Sequence, residues 1–153
     1  MQRILIDNRW QSEQWTPFAV IAADGRADGR ADGDGGGPEL VGDDGKSARW
    51  LYRGFELTLH IDEAEGYYLN LSTAQPFVFV NWDEEEGSGV PRLVTVSYNE
   101  AGRLLDGGAQ VEGVPLPMEW RDWLASFVVE HYKPEQKKRR ARPPSFKGAR
   151  RDD

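Results

Sequence analysis

Phe77-Val78-Phe79-Val80-Asn81-Trp82 is a continuous apolar run of strand length, and it constrains the fold more than any other segment of the chain. Its aromatic and β-branched residues point alternately to both sides, which predicts a central strand covered on both faces. Other strand signals surround it. Ala48 to Tyr52 is one, ended by the turn-like Arg53-Gly54. Phe55 to Ile61 alternates, with Phe55, Leu57, Leu59 and Ile61 on one face and Glu56, Thr58 and His60 on the other. That period of two predicts a half-buried strand. The polar turn Asp62 to Gly66 follows, and Tyr67 to Leu71 is expected as the return strand of a hairpin.

Past the central run, Asp83 to Gly89 is an acidic, glycine-bearing loop and Arg92 to Tyr98 the next strand. Asn99 to Gly108 reads as a short helical turn closed by glycines. Gln110 to Val114 reads as an edge strand stopped by Pro115 and Pro117. From Pro117 a helix opens, and Trp120, Trp123, Leu124, Phe127, Val128 and His131 recur at three- and four-residue spacing. Pro134 ends it. The N-terminal stretch carries Trp10 and Trp15 in polar surroundings, then a strand candidate at Phe18-Ala19-Val20-Ile21.

These elements predict an α+β, mainly β chain. The expected form is a curled antiparallel sheet of six or seven strands, resembling a pleckstrin-homology-like barrel or an open sandwich, packed by one C-terminal helix. One domain joins the N-terminal segment 1–22 to the main body 47–132. Residues 23–46 divide them, opening with Ala-Asp-Gly-Arg repeats that carry no large apolar side chain. Such a tract cannot bury enough surface to offset its ordering entropy, so a low-complexity loop insertion is expected. It lacks the alternating acids and terminal glutamate of a calcium loop.

Charge is asymmetric. From Lys133 onward nine Lys/Arg face three Asp/Glu, a balance of +6, while residues 1–132 hold ten against twenty-three, a balance of −13. An acidic body repels phosphate, so no sequence-specific nucleic-acid partner is expected. The tail 133–153, with Lys137, Lys138, Arg139, Arg140 and Arg142, is expected to be disordered and to give an auxiliary contact to anionic partners. No cysteine is present, which removes disulfides, thiolate metal sites and thiol catalysis. No apolar run reaches the ~18 residues of a membrane span, and the N-terminus is too polar for a signal peptide, so a soluble cytoplasmic protein is expected.

Catalytic chemistry is hard to assemble. His60 lies on the polar side of its segment and His131 at a helix end, where a cation is comfortable without any function. A metal site joining them with Glu63 or Glu65 has no motif spacing to support it. The run Asp83-Glu84-Glu85-Glu86 reads as a solvated, mutually repelling face. The expectation is therefore no enzyme, no metal and no cofactor. Among six tryptophans, Trp82, Trp120 and Trp123 read as core. Trp10 and Trp15 read either as an edge cover or as an aromatic contact surface.

The ordered run of motifs resembles an uncharacterised bacterial family, the domain of unknown function numbered 3305. The resemblance rests on Trp10, Trp15-Thr16-Pro17, Ala19-Val20, Leu57-Thr58-Leu59-His60, Glu65, Tyr67 or Tyr68, and Asn70-Leu71. It continues through Val94 to Ala101, Leu105-Asp106-Gly107-Gly108, Val114-Pro115-Leu116-Pro117, Trp123, Phe127-Val128 and His131-Tyr132-Lys133-Pro134. It spans nearly the whole folded region, and the Asp-Gly repeat and the length of this first loop fall outside the pattern. What the resemblance implies is a place beside molybdenum-dependent formate dehydrogenases, iron–sulfur proteins and a dedicated chaperone.

The expected function is thus a non-enzymatic, protein-binding accessory or maturation factor, with such a dehydrogenase or its iron–sulfur and chaperone neighbours as partner. The expected binding surface joins Trp10, Trp15, His60, Glu65, Tyr67 and Asn70. A rival reading is a small-molecule or cofactor-binding module with a pocket between sheet and helix, lined by Tyr67, Tyr68 and Trp82. A hydrolase using His60 with Glu65 ranks below both.

Overall fold

A computed structural model describes residues 1–22 and 37–134. The basic residues Lys137 to Arg142 and most of the Asp-Gly tract lie outside the described residues.

The described residues form seven strands and three α-helices. They run β1 (Gln2–Leu5), β2 (Glu13–Thr16), β3 (Glu39–Asp43), β4 (Ser47–Leu51), α1 (Ala64–Leu71), β5 (Phe77–Glu85), β6 (Ser88–Thr95), α2 (Tyr98–Asp106), β7 (Gln110–Pro115) and α3 (Arg121–His131). The α+β, mainly β class holds. The single curled sheet does not: the strands form two sheets, in orders β2-β1-β4-β3 and β6-β5-β7, all neighbours antiparallel and neither sheet closed. The expected lone helix is joined by α1 and α2.

β5 is the central strand of its sheet, as its apolar run requires. Val78, Val80 and Trp82 are buried on one face, and Phe77, Phe79 and Asn81 are half-buried on the other. The β5–β6 hairpin turns at Glu86-Gly87, both at positive φ (49° and 78°), the geometry whose twist matches flanking strands. Tyr67, Val78, Val80, Val96, Val114, Leu116, Leu124 and Val128 form the core, with Leu57, Leu59 and Val20 packed against it.

Three expected strands are corrected here. Phe55 to Ile61 belongs to neither sheet. Leu57 and Leu59 reach the core as the alternation predicts, whereas Phe55 and Ile61 at its ends are exposed; both flanks of β5 are paired with β6 and β7, so the segment has no place beside the central strand. Tyr67 to Leu71 is helical. Ala64, Tyr67 and Leu71 face inward at i, i+3 and i+7, the spacing of a helix stripe rather than of a strand. Phe18 to Ile21 is likewise not a strand; Val20 reaches the core while the Arg49 guanidinium lies 3.7 Å from the Phe18 ring centroid.

In α3 the buried stripe centres on Leu124 and Val128, with the Phe127 ring edge-on to Tyr67 at 5.6 Å. Trp123 lies off that stripe and is 44% exposed, which corrects its reading as core. It meets the half-buried Trp120 edge-on at 6.5 Å.

The first sheet rests on the tip of the β5–β6 hairpin. Trp15 packs on Trp50 with ring centroids 5.0 Å apart and the planes tilted by 40°, and its indole N–H donates to the Gly87 carbonyl at 3.0 Å. The Tyr52 hydroxyl donates to the Gly89 carbonyl. A Cβ at Gly89 would lie 2.9 Å from both Met1 and Trp15, so only glycine admits this approach.

Candidate functional site

The residues singled out in the sequence fall at opposite ends of β5. Asn70 and Tyr67 belong to the α1 end, where Phe77 begins the strand. Trp15 belongs to the other end, beside Gly87. Eight steps of about 3.3 Å separate those ends, so roughly 26 Å lies between the two clusters.

At the α1 end the polar groups of Asn70 and Tyr67 are spent on the fold. Asn70 is 1% exposed; its side-chain amide donates to the carbonyls of Phe77 (2.8 Å) and Val96 (2.9 Å), and its oxygen accepts from the Phe77 N–H (2.9 Å). Tyr67 is buried, and its hydroxyl accepts from the His60 backbone N–H at 2.9 Å. His60 and Glu65 are exposed beside them. Of the three residues expected to line a pocket, Tyr67 and Trp82 are buried, while Tyr68 is exposed and stacks on Tyr132 at 4.5 Å.

Burial holds the Tyr67 phenol above its ordinary value of 10.0, the His60 N–H opposing, and the charges of Glu63, Glu100 and Asp62 adding to the rise. The neutral phenol is therefore favoured in the fold. Its contribution to stability is complete below pH ~10 and is lost as pH rises through the raised value. Tyr67→Phe is expected to flatten this alkaline loss while costing about 1 kcal/mol at neutral pH, through the orphaned His60 N–H. Urea titrations at pH 7 and pH 11 check both.

Between α1 and α2 lies a polar clasp that the sequence reading missed. Ser97 is fully buried and caps α2, accepting from the Glu100 N–H at 3.1 Å. The same hydroxyl donates to Glu63, whose other oxygen accepts from Arg103. Thr95 donates to the Glu100 carboxylate and accepts from the Ser97 N–H. Ser97-x-x-Glu100 is the spacing of a capping box and was legible. Glu63 lies 34 positions away and carried no such signal. With its proton on Glu63 and its lone pair on the helix terminus, Ser97 serves as a helix cap.

Trp10 and Trp15 do come together. Trp10, in the loop between β1 and β2, is 89% exposed, its backbone N–H donating to the Asn8 side-chain oxygen at 2.9 Å. Trp15 is 7% exposed. Both line a groove of about 260 Å³ completed by Gln11, Ser12, Glu13, Glu84 and Gly87. A second recess of about 160 Å³ shares Glu13, Trp15 and Gly87 with it and continues past Arg3, Pro38, Trp50, Tyr52 and Ser88. Both are below the ~300–1,000 Å³ of ordinary small-molecule pockets. The size suits one or two inserted side chains.

Glu84 of the groove has no ion-pair partner among the described residues, whereas Arg92 holds its neighbours Asp83 (3.3 Å) and Glu85 (2.7 Å). Glu13 meets Arg3 only at 3.7 Å. Among the described residues no three of His, Asp and Glu converge as metal ligands, and no helix is long and apolar enough to cross a membrane.

A family model described as a protein of unknown function, DUF3305, matches residues 1–141. No curated protein and no solved structure matches.

Proposed function

The chain belongs to the DUF3305 family, and from that premise we propose that it is a non-enzymatic accessory factor that binds a partner protein through the tryptophan-lined groove. One observation carries the reading: Trp10 stands almost wholly in solvent at the mouth of a recess lined by Trp15 and two carboxylates. A bare indole costs solubility, and exposed tryptophans are over-represented among the residues that anchor protein interfaces. The partner we propose is a molybdenum-dependent formate dehydrogenase, or one of its iron–sulfur or chaperone neighbours, during maturation. This client comes from the family resemblance, and the groove supplies the means of holding it.

Co-purification tests the reading. A chain tagged at its C-terminus is expected to recover the dehydrogenase or one of those neighbours from the native host. Trp10→Ala is expected to lose most of that recovery while the protein stays folded, since truncating an interface tryptophan costs ≥ ~2 kcal/mol of binding. Unchanged dehydrogenase activity and metal loading in a strain lacking the gene would remove the maturation role.

A further inference from the structure

The groove carries a charge pattern as well as a shape. Its lining has two indoles and two carboxylates, Glu13 and Glu84, and no basic side chain. Glu84 has no cation beside it among the described residues, although Arg92 takes both of its sequence neighbours. Carboxylates placed next to aromatic faces favour a cation that can lie flat on the ring and bond to the acid together. A guanidinium does this better than an ammonium, being planar, weakly hydrated and forked.

The protein already uses that pairing around the same sheet. The Arg3 guanidinium lies 5.1 Å from the Trp50 ring centroid, next to the Trp15–Trp50 pair. The Arg9 guanidinium lies 5.8 Å from the Trp10 ring. A further arginine entering the groove would meet the same two kinds of group, indole and carboxylate, that Arg3 meets in Trp50 and Glu13.

We propose that the groove receives an arginine side chain from an extended basic segment of the partner protein. This rests on the protein-binding reading and gives the partner a chemistry. Gln11 and Ser12 in the lining are neutral and can hydrogen-bond the neighbouring backbone of such a segment. A segment without cations would bury Glu84 against nothing that compensates its charge.

The test is calorimetric titration of the full chain with a nine-residue peptide of alternating arginine and alanine, at low ionic strength. Its control is the same peptide with citrulline at every arginine, which keeps the shape and removes the charge. Saturable binding of the arginine peptide is expected, with the citrulline peptide silent. Trp10→Ala is expected to weaken it about fivefold and Glu84→Gln about threefold, the latter effect fading in high salt. Equal binding of the two peptides, or binding indifferent to Trp10→Ala and Glu84→Gln, overturns the proposal.

The chain's own basic residues provide a rival occupant. If changing Lys137, Lys138, Arg139, Arg140 and Arg142 to Gln tightens the peptide tenfold and shifts the Trp10 indole resonance, the groove belongs to that segment and the partner assignment falls. The two readings fail separately. Loss of peptide binding with Trp10-dependent partner capture intact removes only the arginine chemistry. Arginine-selective binding with no partner recovered supports the groove's chemistry and removes the accessory role.

Discussion

Asn70→Ala is expected to lower the unfolding free energy by about 4 kcal/mol, one of the two largest single effects in this molecule. The residue is fully buried, and one side chain ties three elements together: α1, the start of β5 and the chain leaving β6. Truncation leaves the Val96 carbonyl and the Phe77 N–H and carbonyl without that amide. Each buried group left unpaired costs about 1–3 kcal/mol, and together they fall in the range reserved for broken buried networks. For a chain of this length that is a drop of about 10 °C in the thermal midpoint.

Asn70→Asp separates geometry from chemistry. The carboxylate has the same shape but no donors, so at neutral pH it faces two carbonyl oxygens that it can only repel. Acidification returns one donor, and the variant is expected to regain stability as pH falls, because burial against acceptors favours the protonated acid. A midpoint for Asn70→Ala within 2 °C of the parent, or an Asn70→Asp variant indifferent to pH, would show that the amide is not the tie described here.

How much of this was legible in the sequence depends on the range of the interaction. β5 could be read because an unbroken apolar run admits few environments, and β7 and α3 because proline, glycine and three-four spacing mark their ends. Phe55 to Ile61 misled for a definite reason. Period-two alternation records that one side faces a core, which Leu57 and Leu59 do, but it says nothing of whether a neighbouring strand is free to pair. Tyr67 to Leu71 misled because a buried asparagine interrupts its apolar stripe. Asn70 looks solvent-facing until the carbonyls of Phe77 and Val96 are placed beside it.

The groove was legible by half. Two tryptophans in a polar stretch stand out, whereas Glu84 and Gly87 join them only through the hairpin tip meeting β2, some seventy positions along the chain. Reading Asp83 to Glu86 as a uniform solvated run hid the difference between the two acids that Arg92 neutralises and the two it leaves bare, Glu84 in the groove and Glu86 at the turn.

Trp15→Ala supplies the second large effect, and its contrast with Trp10→Ala decides what each tryptophan is for. Trp15 is buried, packs on Trp50 and Gly89, and donates to Gly87. Removing it opens a cavity between the first sheet and the hairpin tip, and tryptophan truncations of this kind cost about 3–5 kcal/mol. The Gly87 carbonyl also loses its donor at the turn where Glu86 holds a positive φ, a conformation that itself costs a non-glycine residue about 1–2 kcal/mol. Loosening that turn would move Glu84, so Trp15→Ala is expected to lose partner binding and stability together. Trp10 has almost no buried surface to lose, and its truncation is expected to leave the unfolding free energy within about 0.5 kcal/mol of the parent. A denaturation series on the two variants beside the co-purification measures both quantities. If Trp10→Ala destabilised the chain as much as Trp15→Ala, the exposed ring would be part of the scaffold. The proposed contact surface would then lose its anchor.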